Sequence, residues 1–295
     1  MTLSSGGHVA REPVPASAQA PFGRRLTDAV ARYGPLCVGI DPHPGLLADW
    51  GLPDDADGLA VFADTCLSAL AGHVSSVKPQ SAFFERHGSR GIAVLERLLA
   101  GLTGTGTLSV LDVKRGDIGS TMDGYADAYL RVGAPLGADA VTLSPYLGFG
   151  SLRPGLDAAA EAGRGVFVLA RTSNPEGAQV QLARTGEVSV AQAIVDAAAA
   201  EGAGTSPLGQ VGIVVGATAE HGLDLSALNG PVLVPGLGAQ GAGPADIASR
   251  FREVGGTVLP AAARSVLRAG PDPSALRGAA LALSDEIEAA GRNAG

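Results

Sequence analysis

In "TLSVLDVKRGDIGST" (107–121) an apolar run ends in charged residues, among them Asp112, Lys114 and Asp117. Charges at the end of a buried strand are costly unless paired, so they serve either a structural ion-pair girdle or chemistry. Asp112 and Lys114 are two apart, which on a strand sends both to one face and Val113 to the other. Gly116 permits a turn, from which Asp117 comes back to the same mouth or reaches a neighbour. A lysine among carboxylates stays protonated, which makes Lys114 a fixed cation rather than a neutral nucleophile.

The lysine count points to the same residues. The only lysines are Lys78 and Lys114, and every other basic residue is arginine. A chain so biased toward arginine has little reason to keep lysine for surface charge. The ammonium offers what guanidinium does not, a compact charge with a tunable proton. Both lysines close apolar runs that read as strands.

Further polar residues stand at the ends of similar runs: Asp41, Ser144, Arg171 to Ser173, Gly236 and Arg264. "PGLGAQGAGP" supplies flexible glycines and the amide of Gln240, and "AAARSV" places Arg264 one strand later. A Gly-rich loop alone is often just a turn, but followed by an arginine it fits a phosphate group. His43 in "DPHPG" reads as a loop residue, since no second histidine has ligand spacing. Trp50 and "AFF" (82–84) read as packing, Arg115 as solvent-facing or interfacial, and Asp54, Asp55 and Asp57 as a solvated turn.

The elements that must position these residues follow from the pattern of apolar residues. Strands are expected at 36–41, 75–80, 108–114, 139–144, 165–171, 211–216, 231–236 and 257–262. Helical spacing falls between them, as in "LAVFADTCLSALAGH", "GIAVLERLLAGL" and "SVAQAIVDAAAAEG", with a last helix in "PSALRGAALALSDEIEAAG". Strands alternating with helices pair in parallel, and eight of them close a (β/α)8 TIM barrel, an α/β fold of about 250 residues. A doubly wound sheet would carry a glycine-rich turn after the first strand, where this chain has "DPHPG". Barrel sites lie at the C-terminal strand ends, so the polar residues above converge on one rim. The longest gap, 172–210, holds "TSNPEGAQVQLARTGE", a candidate loop over the mouth.

The chain has 295 residues, 46% of them hydrophobic, and a net charge of −8, which argues against a general nucleic-acid or anionic-membrane surface. No run approaches the length of a membrane helix. Cys37 and Cys66 are too few for a disulfide framework and lie in apolar segments, as buried thiols of a reducing cytoplasm do. Residues 1–21, rich in Ser, Gly, Pro and Ala and without an apolar signal core, read as a disordered tail, and 22–292 as one barrel domain.

"LDVKRGDIGST" resembles the Asp-x-Lys-x-x-Asp-Ile-x-x-Thr signature of the orotidine 5′-phosphate decarboxylase family. "GIDPHP", "VKPQSAFFE", "SPYLG", "LARTSNPEG", "PGLGAQGA" and "AARSVL" resemble the longer bacterial branch of that family, in the same order, over about 22–290. Ser144 departs from the pattern, which has Asn there. The resemblance implies cofactor-free, metal-free decarboxylation of orotidine 5′-monophosphate (OMP) to uridine 5′-monophosphate (UMP). It implies that Lys114 stabilises the C6 carbanion and protonates it, with Asp112 holding Lys114. It further implies that Asp41 and Lys78 contact the ribose, Ser173 the pyrimidine, and Gln240 with Arg264 the phosphate. Asp117 and Thr121 would enter the site of a neighbouring subunit in a homodimer. Three other readings share parts of the pattern: a Mg2+-dependent 3-keto-L-gulonate 6-phosphate decarboxylase, a Schiff-base aldolase, and a barrel that binds phosphate ligands without turnover.

Overall fold

The computed structural model describes residues 19–217, 220–238 and 241–294. It contains ten strands: β1 (Cys37–Ile40), β2 (Ser76–Pro79), β3 (Leu108–Arg115), β4 (Ala140–Leu143), β5 (Gly165–Arg171), β6 (Arg184–Thr185), β7 (Val188–Ser189), β8 (Val211–Val215), β9 (Val232–Pro235) and β10 (Val258–Ala262). All but β6 and β7 pair in parallel and close a barrel in the order β1-β10-β9-β8-β5-β4-β3-β2. The eight expected strands are therefore present, each within a residue or so of its expected limits. Closure is direct, with Cys37 of β1 registered against Ala261 of β10 and Ser76 of β2.

Side chains alternate along each strand between helix layer and barrel interior. On β5, Val166 and Val168 join the outer core against the helices, while Phe167 packs inside with Leu108, Val110, Val214, Leu233 and Leu259. On β3 the inward series runs Leu108, Val110, Asp112. On β4 it runs Ala140, Thr142. The interior is thus apolar at the N-terminal end and becomes polar toward the C-terminal rim.

The helix Phe22–Tyr33 closes the apolar end. Phe22 and Leu26 are fully buried within the interior cluster, and the Phe22 ring meets Phe167 edge-on at 6.0 Å. Arg25 ties this helix down through an ion pair with Asp139 and a 3.0 Å hydrogen bond to the Gly163 carbonyl. The tail expected over 1–21 lies, as far as residue 18, outside the described residues.

Two local readings need correction. Asp55 belongs to no simple solvated turn: it caps the helix Ala56–Leu70, its carboxylate accepting from the amides of Asp57 and Gly58, while Asp54 and Asp57 pair with Arg86 and Arg90. A capping Asp satisfies amides that the helix itself leaves open, so the helix starts three residues before its apolar pattern does. The long connection after β5 also holds more than a loop. It contains a short helix, Ala178–Gln181, and the β6–β7 hairpin turning through Gly186.

Candidate active site

A cavity of about 390 Å³ opens at the C-terminal rim. Asp41, Lys78, Asp112, Lys114, Ser173 and Arg264 all line it. Each of the first three continues the inward series of its strand, so strand parity alone aims them at the cavity.

Asp112 is the centre. Its Oδ2 accepts from Lys78 Nζ at 3.0 Å and its Oδ1 from Lys114 Nζ at 2.7 Å. The carboxylate is only 6% exposed, and burial by itself would raise its pKa. The two ammonium groups, with hydrogen bonds from Lys114 and Thr142, outweigh burial and hold the pKa at about 2. Burial likewise opposes the Lys78 ammonium, but Asp112 and Asp41 outweigh it and raise its pKa above the ordinary lysine value. Lys78 is therefore a permanent buried cation. The Lys114 side chain is 48% exposed and reaches into the cavity. Asp41 also lines the cavity, and its buried Oδ1 has no hydrogen-bond partner among the described residues.

Lys114 does not reach this position as an ordinary strand residue. The β3–β4 register shifts between Leu111 and Arg115, and Lys114 has φ 45°, the one non-glycine residue with positive φ among those described. Such left-handed backbone costs an L residue on the order of 1–3 kcal/mol and is concentrated at functional sites. Asp112 and Lys114 do share the cavity face, but through this irregularity and not through simple alternation.

Two glycines make room. A Cβ on Gly39 would stand 2.7 Å from the Ala263 Cβ, and one on Gly216 would stand 2.7 Å from the Ser173 amide. Gly216 thereby lets the Thr172–Asn174 segment lie against the rim, where Gln181 also fastens it by accepting from the Thr172 amide at 3.0 Å. The loop after β9 turns through Gly236, Gly238 and Gly241, all with positive φ.

Other expected residues fall elsewhere. Asp117 does not line this cavity; its carboxylate accepts from the adjacent Ile118 amide at 2.8 Å. Thr121 is exposed on the helix Gly119–Tyr129. Gln240 lies outside the described residues. Ser144 does not line the cavity; its amide donates to the Arg115 carbonyl at 2.7 Å. Arg115 is no free surface charge, since it pairs with Glu85 at 2.7 Å. Trp50 packs on Phe62 as expected, and its indole donates to the Leu267 carbonyl at 3.0 Å.

Three lining residues carry no advance signal of function. Gln80 accepts from Lys78 Nζ at 3.3 Å, and Thr142 donates to Asp112 at 2.8 Å. His43 stands at the rim with its ring 4.1 Å from that of Phe83. For Gln80 and Thr142 the one available clue is parity, two residues beyond Lys78 and two beyond Ala140.

A closed parallel barrel with two ammonium groups fixed on one buried carboxylate, and an arginine three strands round the same rim, defines an enzyme that works on an anionic small molecule. Sequence comparison narrows the class. A profile of the orotidine 5′-phosphate decarboxylase / HUMPS family matches residues 34–279, and the chain belongs to that family. It is 62% identical over 261 residues to an orotidine 5′-phosphate decarboxylase of Salinispora arenicola, covering 88% of this chain and 94% of that one. A Streptomyces coelicolor protein of the same name is 54% identical over 275 residues, covering 92% and 98%. The crystal structure of a Streptomyces avermitilis protein assigned to the same activity superposes with a TM-score of 0.88 at 53% identity, over 96% of this chain and all of that one.

Proposed function

We propose that this chain decarboxylates OMP to UMP, with Lys114 as the group that stabilises and then protonates C6. The observation that carries the reading is Asp112 held between Lys78 and Lys114 at the mouth of the barrel, in a chain so similar to proteins of that name.

The chemistry follows from the charges. Breaking the bond from C6 to the carboxylate leaves its electron pair on C6, in the ring plane, where the π system cannot spread it. A cation already in place stabilises that pair without reorganising at the moment of reaction. Lys114, anchored by Asp112, is such a cation. Its ammonium then gives C6 a proton and regains one from water. Leu169, Val214 and Leu233 contribute apolar lining, which keeps water from screening this interaction. Asp41 and Lys78, both lining the cavity, bind the ribose hydroxyls. Ser173 contacts the pyrimidine. Arg264, with Gln240, takes the phosphate, a contact remote from C6 that lowers the barrier only if its binding energy is used to close the site.

Asp117 and Thr121 lie off their own chain's cavity, which supports their serving the cavity of a second copy. Ile118 between them is 62% exposed, an apolar residue suited to cover by a partner. No helix among the described residues is long and apolar enough to cross a membrane, and the two buried, unpaired thiols suit a reducing, cytoplasmic setting. We take residues 22–292 as the catalytic unit.

The test is direct. Purified protein incubated with OMP should convert it to UMP, followed by ultraviolet absorbance, at a rate unchanged by EDTA. No conversion would overturn the reading, and conversion abolished by EDTA would overturn its metal-free form.

A further inference from the structure

Thr142 lies on β4, is 1% exposed, and sits beside the irregular stretch of β3. Its hydroxyl accepts from the amides of Val113, at 3.1 Å, and Lys114, at 3.0 Å. It donates to Asp112 Oδ1 at 2.8 Å. A hydroxyl has one proton to give and two lone pairs. Both amides can only donate and the carboxylate can only accept, so the direction of all three bonds is determined and the hydroxyl is saturated.

We propose that Thr142 is a positioning residue for the reaction: its hydroxyl holds the left-handed Lys114 backbone and the Asp112 carboxylate together, and so aims the Lys114 ammonium. The inference rests on the decarboxylase reading and deepens it. Where β3 shifts register, the Val113 and Lys114 amides lose their places in the sheet ladder, and buried amides need partners. Thr142 supplies one atom for both. The same atom fixes the oxygen that receives Lys114 Nζ. Main chain and ammonium of Lys114 are therefore referred to a single point on the neighbouring strand. Valine at 142 would keep the shape of the side chain and remove all three bonds. Serine would keep the bonds and remove only a methyl group.

Three readouts test this. Thr142→Val should lower kcat about 100-fold, the scale of an ångström-sized misplacement of a reacting group. Its affinity for UMP should stay within about threefold of the wild type, because no UMP-binding group is removed. Thr142→Ser should recover kcat to within about fivefold, the worth of one ordinary contact. Because Lys78 and Lys114 are the only lysines, protein labelled with 13C and 15N in lysine shows just two side-chain ammonium environments. The Lys114 signal should move in Thr142→Val and keep its place in Thr142→Ser. Should the valine variant not fold, amide exchange in the wild type decides: Val113 and Lys114 must be protected.

Near-wild-type kcat in Thr142→Val overturns the proposal. So does a loss of UMP affinity that parallels kcat, a serine variant as poor as the valine one, or free exchange of the two amides. The lysine spectrum and amide exchange require no turnover, so they judge Thr142 even if OMP is not the substrate. Absence of wild-type turnover would count against the decarboxylase reading instead.

Discussion

At Asp112 two ammonium groups and a hydroxyl act on one buried carboxylate, and this determines how the fold responds to acid. Its pKa of about 2 lies below the ordinary 3.8. A depressed carboxylate pKa contributes stability that is complete above the unfolded value and is lost as pH falls through the folded one. The window is therefore about pH 4 down to 2, and the amount about 2 kcal/mol. Urea unfolding at pH 5 and at pH 2 should show that loss in the wild type, and Asp112→Asn should reduce it; an equal loss in both would remove Asp112 as its source. Asp112, Lys78 and Lys114 were legible in the sequence because charge at the end of an apolar run is rare and needs a reason. Thr142 was not, because a threonine inside a strand is what β propensity alone would supply. The left-handed Lys114 was equally hidden, since no glycine or asparagine marks the bend.

Among the elements, the helix Phe22–Tyr33 shows how the two ends of the barrel divide their tasks. Its apolar contacts, Phe22 and Leu26 above all, fill the end opposite the site. Phe22→Ala should destabilise the fold by about 3–5 kcal/mol, as large buried truncations do, while kcat at a permissive temperature stays near the wild type. A matching collapse of kcat with a fully folded spectrum would show that the plug reaches the site. "FGRRLTDAVARY" hides this role, because its buried positions are few and interleaved with charge, so within the barrel domain nothing marks it as a plug. The β6–β7 hairpin is hidden for another reason: strands of two residues have no periodicity to detect. Most of the barrel strands were plain because they are Val, Ile or Leu runs between helical stretches, whereas β2 has Val77 alone.

The whole molecule presents Asp117 and Thr121 away from the cavity that its own Lys114 enters, and the proposed homodimer makes a specific prediction about them. Lys114→Ala and Asp117→Ala should each be inactive alone. Mixed in equal amounts and allowed to exchange subunits, they should regain about a quarter of wild-type activity, since half the dimers are mixed and each of those rebuilds one intact site. No recovery after proven exchange would place Asp117 in its own chain's chemistry. Guanidinium groups such as Arg24 and Arg90 face solvent, while both lysines converge on one carboxylate in the cavity, which Arg264 also lines. Reagents that acylate amines, indiscriminate on most proteins, would find no lysine on the outer surface. Beyond the amino terminus they would find little to modify, since acylation needs a free amine and both lysines are engaged as ammonium groups on Asp112.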